Sequence, residues 1–143
     1  MISIIISLFT TLGFAIICHA PIKTLLPTSI IGALGYTIFL FLQPVYGDVL
    51  PVFISACIIG LFSDILARIM KEPTTIFIVP AIVTLVPGSK LYYAMLAVIQ
   101  GDLISAAELG TATIFVAGAI ALGLVVEGSL FTLPAKIKNF NQN

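Results

Sequence analysis

Residues 79–96 read VPAIVTLVPGSKLYYAML. The stretch lies inside a long apolar run, yet it holds Pro80, Pro87, Gly88 and Lys90. Pro87 has no backbone N–H, and its ring clashes with the carbonyl of Val83 in a continuous helix. Gly88 reaches conformations closed to other residues. The pair predicts a helix that ends and a second half-helix that starts near Ser89, with N–H groups lacking partners inside the helix. In hydrocarbon each such group costs several kcal/mol, so the break survives only against protein or a water-filled cavity. The positive end of a half-helix suits an anion, and secondary transporters point broken helices at their substrates.

The rest of the chain sets that break in a membrane. Of 143 residues 60% are hydrophobic and 8% are charged, against about 25% charged in a soluble domain. This reads as an integral membrane protein in contact with the lipid bilayer. Net charge is zero, so nothing points to nucleic acid. Cys18 and Cys57 lie in apolar stretches and read as small buried hydrophobes, and His19 alone is no metal site. No cofactor is implied. Phosphate-loop, nucleophile and metal motifs are all missing from the sequence, so it does not read as an enzyme. Residues 1–17 follow no basic residue and precede no small-x-small site, so the segment is expected to stay as a membrane helix.

Polar breaks divide the chain into five apolar segments, at about 2–20, 27–42, 49–70, 74–99 and 103–130, with a polar tail at 134–143. With five single crossings, Lys23, Arg68, Lys71, Lys136 and Lys138 fall on one side, and Asp48 and Asp102 on the other. The positive-inside rule then puts the N-terminus outside and the C-terminus, with its tail, in the cytoplasm. The expected fold is all-α, with about five transmembrane helices and the fourth broken at Pro87-Gly88. A re-entrant fourth segment would carry Lys136 and Lys138 outside, so a single, discontinuous crossing is expected. Lys90 is the one basic residue that fits neither side. Counting along the helix puts it about 20 Å from the cytoplasmic end and about 15 Å from the outer end. A lysine there costs about 2.5–3.5 kcal/mol on insertion scales, and it needs a counter-ion, a bound anion or a route to the surface.

The candidate substrate-binding residues therefore cluster around the break: Thr84, Pro87, Gly88, Ser89, Lys90, Tyr92 and Tyr93. Packing, snorkelling and interfacial anchoring compete with that role at Lys90 and at both tyrosines. Ala56, Gly60, Asp64 and Arg68 recur every four residues, a face of small residues on which helices approach closely. Asp64 on that face is the ion-relay candidate. Ala106 with Gly110, and Ala119 with Gly123, repeat the small-residue step. Glu108, Glu127 and His19 read as satisfied or interfacial groups near segment ends.

Two stretches carry a resemblance. GFAIICHAPIKTLLP from Gly13 and KEPTTIFIVPAIVTLVPGSKLYYAML from Lys71 resemble the threonine/serine exporter family, in its small membrane subunit matching the C-terminal half of the fused exporters. The likeness covers nearly the whole chain and is most specific at Pro73, Pro80 and Pro87-Gly88 with the tyrosine beyond. Lys90 departs from the family pattern, which has a small or polar residue there. The resemblance implies a subunit, in the cell membrane, that exports a small carboxylate-bearing metabolite. Threonine or serine stands first and a dicarboxylate such as succinate next. It implies a larger membrane partner carrying the N-terminal half. Two other readings remain: an assembly subunit that does not itself transport, and an independent homo-oligomeric channel or transporter.

Overall fold

The computed structural model describes residues 2–140, with side chains as far as Ser129. Among them every regular element is helical: α1 (Ile2–Ile17), α2 (Ile22–Tyr46), α3 (Val49–Met70), α4 (Thr75–Ile82) with a 3-10 turn at Val83–Leu85, α5 (Gly88–Gln100) and α6 (Leu103–Phe140). Three of these are long and apolar enough to cross a membrane: Ile22–Tyr46, Val49–Met70 and Leu103–Ser129. The pair Thr75–Leu85 and Gly88–Gln100, bent by 52°, makes a fourth if it is one span. α1 is apolar but has 16 residues, about 24 Å against a hydrocarbon core of about 30 Å. Length therefore supports three or four of the five expected crossings. The expected tail at 134–143 falls on residues of which only the helical backbone to Phe140 is described; residues 141–143 lie outside the described part.

α2 corrects the expected second segment. It begins directly after Pro21 and runs through both Pro27 and Pro44, where a start near Pro27 and a stop at Gln43-Pro44 were expected. Pro27 deprives only the carbonyl of Lys23 of its partner, and Lys23 lies in the exposed first turn. What ends α2 is Gly47, at φ +71°, whose N–H caps the carbonyl of Gln43 at 3.0 Å. A positive φ at glycine carries no Cβ penalty.

α2 is the centre of the bundle and packs on α1, α3 and α4; α3 packs in turn on α4 and α6. Apolar side chains gain little by facing one another rather than lipid, so close backbone approach holds such helices together. Ser7 and Thr11 of α1, and Thr24, Thr28 and Ser29 of α2, are all buried. Each hydroxyl is satisfied by a carbonyl of the preceding turn, as Thr11 is by Ser7 (2.9 Å) and Thr28 by Thr24 (2.7 Å). A Cβ on Gly32 would run into the Thr11 side chain. The expected small-residue step at Ala119 and Gly123 is a contact: a Cβ on Gly123 would lie 2.8 Å from the carbonyl oxygen of Phe53. That at Ala106 and Gly110 is not one at the glycine, where a Cβ would meet nothing within 4 Å. Phe77, Ala81 and Leu85 pack with Ile31 and Ile59, and Val52 packs with Val116 and Ala119.

The ends of the bundle are chemically distinct. A Lys23–Glu72 ion pair of 2.7 Å joins the α1–α2 and α3–α4 corners, close to Arg68 and Lys71. The α2–α3 corner at Gly47-Asp48 forms the opposite end. Because Val116 packs on Val52 near the start of α3, the thirteen residues of α6 before Val116 extend about 20 Å beyond that contact, and so past the corner. There they pair with α5, which packs mainly on α6.

Candidate functional site at the helix break

α4 tightens into the 3-10 turn, Val86 turns extended (φ −62°, ψ 128°), and α5 begins at Gly88. Pro87 (φ −77°, ψ 54°) is the centre of an inverse γ-turn, closed by the Gly88 N–H on the Val86 carbonyl at 2.8 Å. The break is therefore where the sequence placed it, but its cause differs. Gly88 does not have a positive φ; the change of direction is made at Val86 and Pro87, where proline fixes φ and removes a donor. The Leu91 N–H bonds to Pro87 at 3.1 Å. The N–H groups of Ser89 and Lys90 have no backbone acceptor among the described residues, as the first turn of a helix leaves them.

A cavity of about 230 Å³ opens beside this turn. Thr84, Leu85, Val86 and Pro87 form one wall, Ser89 and Lys90 of α5 the next. Tyr36, Phe39 and Gln43 of α2 close the other side, with Asp48, Val52 and Val116. A second cavity of about 310 Å³ lies behind Tyr36 and Thr84, against Ser3, Ile6, Ser7 and Thr10 of α1 and Val83. Tyr36 and Thr84 line both, and thus form the wall between them. Thr84 Oγ1 donates to the Ala81 carbonyl at 3.0 Å.

Lys90 finds the counter-ion that its position calls for. Its ammonium is ion-paired and hydrogen-bonded to Asp48 Oδ2 in the α2–α3 corner, and α5 runs ten residues beyond it to Gln100, about 15 Å. Gln43 Nε2 donates to the other oxygen of Asp48 at 2.8 Å. The hydrogen bond from Lys90, and then that from Gln43, hold the Asp48 carboxyl below its ordinary range.

The other expected site residues divide. Thr84, Pro87, Ser89 and Lys90 line the cavity. Gly88 does not, and a Cβ there would meet nothing within 4 Å. Tyr92 and Tyr93 are more than half exposed, with their rings packed edge to face at 5.4 Å, away from the cavity. Asp64 is remote from it, half-buried on α3. Among the described residues no three His, Cys, Asp or Glu side chains gather as a metal site would require.

Tyr36, Gln43 and Asp48 were not singled out from the sequence as site residues. The only signal was a carboxylate five residues after a glutamine across a Gly turn, which reads as a polar loop. Glu127, read as a satisfied or interfacial group, is instead buried, at 6% exposure.

The family model described as Threonine/Serine exporter, ThrE, matches residues 3–130. A relative from Haemophilus influenzae, an uncharacterized protein, is 33% identical over 129 residues, covering 83% of this chain and 43% of that protein. The chain thus spans less than half the length of this relative. No solved structure matches the chain.

Proposed function

The chain belongs to the threonine/serine exporter family, and from that premise we propose that it is the subunit of a secondary exporter which moves a small carboxylate-bearing metabolite out of the cell. Threonine or serine is the first candidate and a dicarboxylate such as succinate the second. The observation that carries the reading is the convergence of Lys90 and the free N–H groups of Ser89 and Lys90 on one cavity at the start of α5. A carboxylate docks on such donors through charge-assisted hydrogen bonds. Asp48 occupies Lys90 in this structure, so a substrate carboxylate would exchange with Asp48 for the same ammonium. Tyr36 and Thr84, between the two cavities, stand on the path from one to the other. The protein would lie in the cell membrane with its Lys23 and Lys71 end toward the cytoplasm, and the cavity would open toward the outside.

The chain's share of its relative's length supports a larger membrane partner that carries the remainder of the exporter. The same observation favours the second reading, an assembly subunit whose partner holds the whole substrate path. Efflux of radiolabelled threonine and of succinate from cells expressing this chain, with and without such a partner, tests both. Efflux that needs both chains and falls in Lys90→Met supports the first reading. Full efflux with Lys90→Met and Ser89→Ala, together with photolabelling of the partner alone, refutes it.

A further inference from the structure

A second polar site, outside the cavity at the break, is built into the α3–α6 interface. Glu127 of α6 is 6% exposed, and its Oε1 is buried with no hydrogen-bond partner. The carboxylate is seated against Gly60: a Cβ there would lie 2.6 Å from Oε2 and 3.0 Å from the carboxyl carbon. Glycine at this step of α3 is what makes room for the group. The hydroxyl of Ser63, one turn further along α3, is likewise buried without a partner. Asp64 and Arg68, on the same face of α3, act on Glu127 with charges of opposite sign, and Cys57 faces it from the other direction.

An isolated carboxylate with an unpartnered oxygen is costly in such a setting, and buried ionisable groups within membrane helices mark ion and proton pathways. Taking up a proton removes the charge and gives the carboxyl group a donor. Asp64 is half-buried and Arg68 exposed, and the end of α3 is about 9 Å beyond Asp64. This face therefore leads from the water at the Lys71 end to Glu127.

We propose that Glu127 is a reversible proton-binding site, reached through Asp64 from the Lys71 end, which couples the exporter to proton movement. The step is a proton transfer alone: a proton from water passes by the Asp64 carboxylate to a Glu127 carboxylate oxygen, giving the neutral acid, and returns by the reverse route. The site itself stands on the α3–α6 geometry; the coupling rests on the exporter reading above.

Dicyclohexylcarbodiimide, which modifies protonated carboxyl groups in apolar surroundings, tests the site without transport. The wild-type chain is labelled in native membranes across a pH series, and the adduct is located by mass spectrometry. Modification of Glu127 should fall about tenfold per pH unit once its pKa is passed, and Asp64→Asn should slow it. No adduct at Glu127, or one indifferent to pH, overturns the proposal. Coupling is tested with radiolabelled threonine in vesicles. Glu127→Gln should keep threonine exchange but lose efflux driven by a pH gradient. Undiminished pH-driven efflux in that variant overturns the coupling. Should Glu127→Gln fail to reach the membrane, protection of wild-type Glu127 from the carbodiimide by threonine takes its place, and unaltered labelling counts against coupling. Labelling that follows pH in a wild-type chain that moves neither threonine nor succinate even when expressed with its larger partner would leave the proton site standing and refute the exporter reading.

Discussion

Lys90, in the first turn of α5, is ion-paired with Asp48 in the corner between α2 and α3. The pair lines the cavity beside Pro87 and ties the broken helix to the centre of the bundle. Each side chain keeps about a third of its surface exposed (31% and 32%). Ion pairs of that kind contribute about 1 kcal/mol or less. Lys90→Met and Asp48→Asn should therefore shift thermal unfolding in detergent only slightly. Lys90→Met should lower efflux sharply, whereas Asp48→Asn removes the competing anion and should lower the substrate concentration for half-maximal transport. Equal losses of efflux in both variants would argue for a structural pair.

The same contact has a pH signature. Lys90, then Gln43, lower the Asp48 pKa from its ordinary 3.8. A depressed carboxyl pKa stabilises the folded state above the unfolded pKa, and that contribution is lost as pH falls through the folded one. The Lys90–Asp48 contact should hold from neutral pH down to about 4 and fail below it. The measurement is carboxylate protonation at Asp48, by infrared difference spectroscopy with Asp48→Asn as reference. A transition well above pH 4 would contradict the contact.

Gly123 should be intolerant of a side chain. Its Cβ would meet backbone atoms of α3, the Phe53 oxygen at 2.8 Å and the Cys57 nitrogen at 3.3 Å, so α3 and α6 must move apart. Gly123→Ala is expected to cost about 1–3 kcal/mol, read as a lower melting temperature in detergent. Gly110→Ala, where a Cβ meets nothing within 4 Å, is the control and should be neutral.

Gly60→Ala differs from both. The atoms in its way belong to the Glu127 side chain, which can turn aside. Stability should change little, while Glu127 is displaced from its seat and its carbodiimide labelling changes. A large stability loss would show that Glu127 cannot move.

Gly88→Ala should be harmless to the fold. Its φ is not positive and its surroundings are open, so alanine should stabilise the chain by about 0.4–1 kcal/mol through the unfolded state. Pro87→Ala should matter more, because it releases the φ that the proline ring fixes at the turn. Spin-label distances between α4 and α5 should broaden in Pro87→Ala and stay narrow in Gly88→Ala.

Much of this protein follows from sequence alone. Composition marks a membrane chain; apolar runs mark the helices, because the cost of bare peptide groups in lipid is local and can be read along the chain, although α2 passes through two prolines that were expected to bound it. The break at Pro87 is legible for the same reason. The tertiary structure decided which residues meet there. Lys90 had no partner in the sequence, since Asp48 lies 42 residues away and only the return of α2 into α3 brings it to α5. Tyr36 and Gln43 enter the cavity by their face of α2, which periodicity does not reveal in a helix apolar on all sides. Glu127 looked like a segment-end acid until Gly60 and Ser63 of α3 closed over it. Helix formation depends on near neighbours in the chain, whereas burial and charge pairing depend on which helices pack together, and contacts between small residues set that packing.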